Sequence, residues 1–244
     1  MRNAASLTPD PEAPWARLRV AALTPFTSLD FPGHLAAIMH LQGCPLACPY
    51  CHSPHLQPFG PGALSPRALT GFLASRRGLL DGIVFSGGEP CAQIGLGDAL
   101  AACRAQGYAT ALHSAGVYPH ALIRLLPLLD WIGLDWKAPL HDTAPATGRV
   151  GLGRRFAQAV HAVLSAGIAH EIRTTWHPAL LPPSAMLVMA EQLAQMGAGA
   201  WVIQPYWRPV FTTYSASPPL GEAVFPRTLL TQIRAILPNT ILRP

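Results

Sequence analysis

Three cysteines lie close together in the sequence Gly43-Cys44-Pro45-Leu46-Ala47-Cys48-Pro49-Tyr50-Cys51. The spacing C-x3-C-x2-C allows three thiolates to bind three corners of an iron–sulfur cube, and the fourth iron then has no protein ligand. An open coordination position is what a catalytic metal site needs and a closed structural site lacks. The spacing therefore predicts a 4Fe–4S cluster held by Cys44, Cys48 and Cys51.

Two other kinds of site could use the same cysteines. A structural zinc would take the three cysteines with His52 or His55, but zinc sites usually add a second, distant pair, and the sequence has none. A ferredoxin-like carrier needs a fourth cysteine at a suitable spacing. Cys91 and Cys103 are expected to be small buried residues instead. An odd count of five cysteines favours a metal site over a disulfide framework.

A second polar segment reads Phe85-Ser86-Gly87-Gly88-Glu89-Pro90 and follows a predicted strand. Its two glycines allow the backbone to approach a neighbouring group closely, and Glu89 adds a carboxylate. On its own, Gly-Gly-Glu-Pro is more often a turn than a site. Its interpretation therefore depends on the cysteines that precede it.

Lys137 is the one lysine of the sequence, because the other 16 of the 17 basic residues are arginines. The compact ammonium of lysine and the planar guanidinium of arginine differ in shape and hydration. In a strand, Asp135 and Lys137 point to the same side, and Trp136 points to the other. The alternative to a binding site is a surface ion pair at a strand end.

Arg173 is a further candidate and lies in a later strand. The alternative is an arginine at the core edge paired with Glu171 or Asp135.

Strand-like and helix-like segments alternate and position these residues. The predicted strands are 35–41, 82–86, 109–112, 131–135, 171–176 and 200–204, and the predicted helices are 66–77, 97–106, 119–126, 156–166 and 184–196. Repeated strand–helix units imply a parallel sheet. Six units are fewer than the eight of a closed barrel, so we expect an α/β fold with a partial (β/α)6 barrel. We expect residues 1–22 to form an N-terminal extension and residues 23–244 to form a single domain with a C-terminal loop and helix.

Two segments without clear periodicity, 138–155 and 205–226, follow predicted strands. Because α/β enzymes build their sites at the carboxyl ends of strands, these segments are candidate lids or partner-docking loops. The alternative is that they are ordinary surface loops in a proline-rich chain.

The hydropathy and the charge distribution of the sequence argue against membrane proteins and nucleic-acid-binding proteins. No run of about 18 apolar residues predicts a membrane span, and the proline- and acid-containing start lacks the apolar region of a signal peptide. We therefore expect a cytoplasmic protein that does not associate with membranes. The formal charge is +5, but the basic residues are scattered, so we do not expect nucleic-acid binding.

The cysteine segment resembles that of radical S-adenosylmethionine enzymes, with aromatic Tyr50 just before the third cysteine. The upstream sequence Ser28-Leu29-Asp30-Phe31-Pro32-Gly33 and the downstream sequence Cys51-His52-Ser53-Pro54 resemble the glycyl-radical-enzyme activating proteins. Within that branch the similarity is greatest to the longer form of the anaerobic ribonucleoside-triphosphate reductase activating protein. The resemblance covers about residues 24–207.

This resemblance implies a partial-barrel enzyme in which S-adenosylmethionine binds the open iron of one 4Fe–4S cluster. Reductive cleavage would then give a 5′-deoxyadenosyl radical, which would generate a glycyl radical on a partner enzyme. The electron donor would be a flavodoxin or ferredoxin. The alternative is a small-molecule substrate, as in modified-base biosynthesis. The residues implied to bind S-adenosylmethionine are Tyr50, Gly87, Gly88, Glu89, Asp135, Lys137 and Arg173.

The sequence departs from the formate-lyase-type activases in two places. Where those carry Asp-Thr and Asn-Gly, this chain reads Leu112-His113-Ser114-Ala115-Gly116, so His113 supplies either a fixed positive charge or nothing. Where those carry a histidine near the adenine, this chain has Trp207, which is expected either to stack or to pack. The extra cysteine-rich insert of some activases is absent from the sequence, so a second cluster is not expected.

Overall fold

The structure is a computed structural model, and it describes residues 10–206 and 223–243. Within these residues eight strands form one sheet in chain order. The first strand is antiparallel to the second, and all later neighbours are parallel. The strands are β1 (Val20–Thr27), β2 (Ala36–Leu41), β3 (Gly82–Gly87), β4 (Ala109–Ser114), β5 (Trp131–Asp135), β6 (Ala169–Trp176), β7 (Trp201–Pro205) and β8 (Thr240–Leu242).

Every crossover between neighbouring parallel strands carries at least one helix. The helices are α1 (Pro66–Arg76), α2 (Leu96–Ala105), α3 (Pro119–Leu125), α4 (Ala144–Thr147), α5 (Gly153–Ala166), α6 (Pro183–Gln195) and α7 (Arg227–Ile236). Proline begins α1, α3 and α6, where its fixed φ suits the first turn and its missing N–H costs nothing. The predicted α/β architecture of a partial barrel is confirmed, and β1 and β8 extend the six predicted strands at both edges.

The two faces of the sheet carry different side chains because successive residues of a strand point in opposite directions. Met39, Phe85, Leu112 and Leu134 point toward the helices and belong to the large core. The inward-facing positions of the same strands are apolar near their amino ends and polar near their carboxyl ends. A polar space inside the partial barrel thus lies above an apolar floor.

The floor of the barrel is a small separate cluster. Phe31, from the turn between β1 and β2, is buried against the inward-facing residues Ile38, Val84, Ala111 and Trp131. The rings of Phe31 and Trp131 lie 6.1 Å apart, centroid to centroid. The turn that carries the Asp-Phe-Pro-Gly sequence therefore closes the barrel from below.

The chain before β2 packs onto the sheet. Trp15 and Leu18 are buried in the large core, and β1 begins at Val20. The pairing of β1 with β2 has two register shifts, and its burial does not alternate. Among the described residues, no helix has the length and apolar character needed to cross a bilayer.

Candidate active site

A cavity of about 230 Å³ opens at the carboxyl ends of the parallel strands. Its wall contains the cysteine loop that follows β2, the two glycines at the end of β3, and polar side chains from β4, β5 and β6. The predicted residues on this wall are Cys44, Cys48, Tyr50, Cys51, Gly87, Gly88, Asp135, Lys137 and Arg173. The structure thus brings together residues that span 130 positions of the sequence.

The cysteine loop is held on one side by the segment that follows it. The backbone N–H of Gly43 donates to the carbonyl of Leu56 at 2.7 Å, and that of Cys44 donates to the carbonyl of Gln57 at 2.9 Å. Within the loop, the N–H of Cys51 donates to the carbonyl of Cys48 at 3.1 Å. These bonds fix the backbone that carries the thiols.

The other side of the loop rests on the segment 138–155. The N–H of Ala47 donates to the carbonyl of Thr147 at 2.9 Å, and Nε of Arg149 donates to the carbonyl of Pro45 at 2.9 Å. Gly148 lies between them at φ +67°, where a β-carbon would come within 2.8 Å of the Ala47 carbonyl oxygen. The expectation of a lid here is not supported, because the segment contains helix α4 and braces the cysteine loop.

All three thiols of the loop are free and partly buried. Burial raises the pKa of Cys44 to about 12 and also raises the pKa of Cys48, while the charge of Lys137 acts in the opposite direction on both. Bound iron must therefore displace protons from these thiols. Among the described residues, no three His, Cys, Asp or Glu side chains converge on a single ion. Cys44, Cys48 and Cys51 all line the cavity, and a 4Fe–4S cube would not need them to meet at one ion, because each thiolate would bind a different iron.

The backbone that leads into the cysteine loop leaves no room for a side chain at either glycine at the end of β3. Gly87 has φ +109°, and a β-carbon there would lie 2.3 Å from the backbone nitrogen of Leu41. At Gly88 a β-carbon would lie 2.3 Å from the carbonyl oxygen of Gly43. Both glycines also line the cavity. The close approach expected from the sequence is therefore made first to the backbone that leads into Cys44.

Glu89 differs from the expected arrangement, because its carboxylate is buried behind the cavity wall and does not line it. It accepts hydrogen bonds from Oγ of Ser114 at 2.7 Å and from the N–H groups of Ala115 at 2.8 Å and Cys91 at 3.0 Å. Burial raises its pKa, and these bonds oppose the rise. Glu89 joins the ends of β3 and β4, and its contact with a bound amino group stays a prediction.

Asp135 and Lys137 lie on the same side of the chain, as the strand period predicts, and Trp136 is buried on the other. Nζ of Lys137 lies 3.0 Å from Oδ2 of Asp135, 3.4 Å from the hydroxyl of Tyr50 and 5.3 Å from the centre of the Tyr50 ring. Burial opposes the charge of Lys137, but Asp135, Tyr50 and Cys48 together outweigh it and keep the lysine pKa well above its ordinary value. The ammonium is a fixed cation on the cavity wall.

Arg173 supplies a second cation from the neighbouring strand. Its Nη2 lies 3.1 Å from Oδ1 of Asp135. Burial favours the neutral form of Asp135, yet Lys137 and Arg173 hold its pKa at about 2. Glu171, the other expected partner of Arg173, pairs instead with Arg243. One carboxylate between two cations leaves a net positive charge, which suits an anionic ligand group.

His113 is neutral at pH 7, because burial and the charge of Arg173 lower its pKa to about 4. Its Nε2–H donates to the backbone carbonyl of Asp30 at 2.9 Å, and its ring packs edge-on against Trp131 at 5.5 Å. The alternative of a fixed positive charge at His113 is therefore wrong. The Asp30 carbonyl comes from the same turn that closes the barrel floor.

Gly133 was not predicted to be a site residue, although an isolated glycine inside a strand often marks a close approach by another group. A β-carbon at this position would lie 2.7 Å from Cζ of Arg173. The supporting residues Ser114 and Arg149 were also missed, since nothing in their local sequence identifies them. Cys91 and Cys103 are buried, as predicted. Trp207 and most of the segment 205–226 lie outside the described residues.

Comparison with known families agrees with this geometry. The sequence profile of the Radical SAM superfamily matches residues 38–183, from β2 to the start of α6. A protein of Methanocaldococcus jannaschii, named as a glycyl-radical enzyme activating enzyme, is 25% identical over an alignment of 134 positions that covers 48% of this chain and 50% of that protein. The pyruvate formate-lyase-activating enzyme of Clostridium pasteurianum is 32% identical over 125 residues, 49% of this chain and 52% of that enzyme. The chain thus spans about half the length of the curated relatives that it matches.

Solved structures share the fold. Streptococcus suis SuiB bound to the precursor peptide SuiA superposes with a TM-score of 0.63 at 14% identity, over 85% of this chain and 48% of SuiB. A structure of anSMEcpe with bound AdoMet superposes with a TM-score of 0.55 at 13% identity, over 72% of this chain and 52% of that one. At these identities the similarity concerns the fold alone.

Proposed function

The chain belongs to the Radical SAM superfamily, whose members use a 4Fe–4S cluster and S-adenosylmethionine, and we propose that it generates a glycyl radical on a partner enzyme. The partner we propose is an anaerobic ribonucleoside-triphosphate reductase. The observation that carries the proposal is the convergence of three free thiols with Asp135, Lys137 and Arg173 on one cavity.

The residues of the cavity divide into two groups with different tasks. Cys44, Cys48 and Cys51 would hold three irons of the cluster and leave the fourth open. When bound, the cluster supplies the electron that splits S-adenosylmethionine into methionine and a 5′-deoxyadenosyl radical. Lys137 would bind the carboxylate of the methionine moiety, since its ammonium is fixed by Asp135 and by Tyr50.

The charge balance of the wall supports this arrangement. Asp135 is anionic between two cations and can also accept from the amino group of the same moiety. Arg173 fixes Asp135 from the neighbouring strand, so the carboxylate does not have to reorganise when the cofactor binds. The apolar floor closes the same space from below.

The choice of a glycyl-radical partner is supported by two features. The sequences Asp30-Phe31-Pro32-Gly33 and Cys51-His52-Ser53-Pro54 resemble the activating proteins, and both curated relatives carry activase names. In the structure, Phe31 of the first sequence is buried in the floor of the barrel, and the carbonyl of Asp30 accepts the hydrogen bond from His113. A partner would have to extend a glycine-bearing loop into the cavity. Ordering that loop costs free energy, so the partner should bind weakly until the cofactor completes the site.

Isotope transfer tests the proposal. The reductase, labelled with deuterium at its glycine α-carbons, is incubated with the dithionite-reduced, reconstituted protein and S-adenosylmethionine. We expect deuterium in 5′-deoxyadenosine, measured by mass spectrometry. Deuterium that arrives only from a labelled small metabolite would contradict the activase function and favour the small-molecule alternative.

A further inference from the structure

A second cavity, of about 290 Å³, lies on the outer side of the cysteine loop. It shares no lining residue with the cavity described above. Its wall includes Arg17, Arg19, Phe59, Gln93 and Ile94, and we call these five residues the outer surface.

The outer surface contacts the backbone that leads directly into the first cysteine. Nε2 of Gln93 donates to the carbonyl of Gln42 at 2.6 Å, and the N–H of Gln42 donates to the carbonyl of Arg19 at 2.9 Å. The ring of Phe59 covers Gly43, where a β-carbon would lie 2.6 Å from a ring carbon. Only Gly43 separates Gln42 from Cys44, so the outer surface is the back of the metal-binding loop.

The chemistry of the outer surface is cationic and apolar. Arg17 and Arg19 are exposed, and neither forms an ion pair with a described residue. Phe59 is 56% exposed and Ile94 is 79% exposed. No acidic residue of the described chain lines the cavity. Exposed aromatic and aliphatic side chains beside arginines are typical of protein interfaces.

We propose that the outer surface docks an acidic one-electron carrier protein that reduces the cluster. The inference rests on the proposed function, because only a redox-active cluster needs such a partner. In each encounter the reduced carrier loses one electron and the oxidised cluster gains it, and no proton or group is transferred. A substrate must enter the inner cavity, whereas an electron has only to cross the loop, so the back of the loop suits a carrier. Such redox encounters bury little surface and depend on charge.

Binding to a carrier of known charge tests the proposal. The double variant Arg17→Gln/Arg19→Gln and the native protein, both reconstituted, are titrated with a purified acidic flavodoxin, and flavin fluorescence reports the affinity. Because two cations at the rim are lost, we expect affinity at low salt to fall about fivefold to tenfold and its salt dependence to flatten. The matched control is Arg124→Gln/Arg227→Gln, which removes two exposed arginines from α3 and α7 and should bind as the native protein does.

Stopped-flow reduction of the cluster separates docking from chemistry. The double variant should be reduced more slowly by flavodoxin and at the native rate by dithionite. Unchanged affinity and salt dependence in Arg17→Gln/Arg19→Gln would overturn the docking site, as would loss of binding to the glycyl-radical partner with flavodoxin binding intact. If the native protein fails to cleave S-adenosylmethionine even with dithionite, the proposed function fails, whatever flavodoxin binding shows.

Discussion

The guanidinium of Arg173 lies against the α-carbon of Gly133, so that a β-carbon at position 133 would come within 2.7 Å of its Cζ. The same guanidinium holds Asp135 at 3.1 Å. A methyl group at 133 must therefore shift this guanidinium, and the shift changes its contact with Asp135. Because Gly133 has no side chain, Arg173 of β6 can lie beside Asp135 of β5, and the two neighbouring strands share one charge cluster.

The variant Gly133→Ala should weaken S-adenosylmethionine binding by about tenfold, or roughly 1.4 kcal/mol, while the iron content stays native. Equilibrium dialysis of the reconstituted protein measures the affinity. In the double variant with Arg173→Ala the two effects should not add, because both remove the same contact. Gly71→Ala is the control, since nothing lies within 4 Å of a β-carbon there. Native affinity in Gly133→Ala would show that the position of Arg173 is unimportant for binding.

Lys137→Met should lower the affinity for S-adenosylmethionine by about 10- to 100-fold, which is the loss of a charge-assisted hydrogen bond, and leave the cluster intact. Lys137→Arg should also bind poorly, because a wide planar group does not fit between Asp135 and the Tyr50 ring as a compact ammonium does. Dialysis against labelled cofactor and an iron assay on the same samples give both readouts. Native affinity in the Met variant would mean that the lone lysine is incidental.

Serine at Cys44, Cys48 or Cys51 should abolish the cluster, whereas Cys91→Ser and Cys103→Ser should retain it. The two groups differ in position, because the first three line the cavity and the last two are buried elsewhere in the core. Iron and sulfide analysis after anaerobic reconstitution decides the assignment. A Cys91→Ser protein that folds but cannot hold four irons would contradict it.

Asp130 provides a test of the fold away from the cavity. Its carboxylate accepts from Nη1 of Arg104 at 2.8 Å and from the N–H of Thr110 at 2.8 Å, which ties α2 and β4 to the start of β5. Burial acts to raise its pKa, but the Thr110 and Arg104 contacts lower it below 3.8. The unfolded chain then binds this proton more readily, so the stabilisation is present above pH 3.8 and is lost as the pH falls further.

The variant Asp130→Asn should therefore lose about 1 kcal/mol of unfolding free energy at pH 7, a modest value because both partners are partly exposed. Calorimetry should show a fall in Tm of about 2–4 °C. The difference from the native protein should shrink below pH 4. Glu191→Gln, at an exposed acid in the second half of α6, is the control. A difference that does not change with pH would show that the Asp130 carboxylate is not what stabilises this junction.

The sequence predicted the buried strands and not the edges of the sheet. Strand β5 was predicted with its observed bounds, because a run of buried apolar residues in a parallel sheet is easily recognised. Strand β1 was missed, since it contains Pro25, has two register shifts and is fully buried at only two of its eight residues. Helix α7 is the C-terminal helix that was expected, but its bounds were not predicted, although its buried residues Leu229 and Ile233 have helical spacing. It follows a proline-rich segment that masked the pattern.

The sequence predicted those site residues whose side chains have few chemical substitutes, such as metal-binding thiols and paired charges. The cysteines, Asp135 and Lys137 lie together because the carboxyl ends of parallel strands meet at one edge. The location of Glu89 behind the wall was not predictable, since it depends on Ser114 and Ala115 from another strand. Likewise, the neutral state of His113 depends on Arg173 and on a carbonyl from the barrel floor.

Electron paramagnetic resonance of the partner enzyme tests the proposed function most directly. The dithionite-reduced protein, S-adenosylmethionine and the cognate anaerobic reductase should together give a stable carbon-centred radical in the reductase. Its signal should be a doublet, split by the remaining α-hydrogen of one glycine, and deuteration of glycine should collapse the splitting. A partner that gains no radical, although the reduced protein cleaves S-adenosylmethionine in the same sample, would contradict the account.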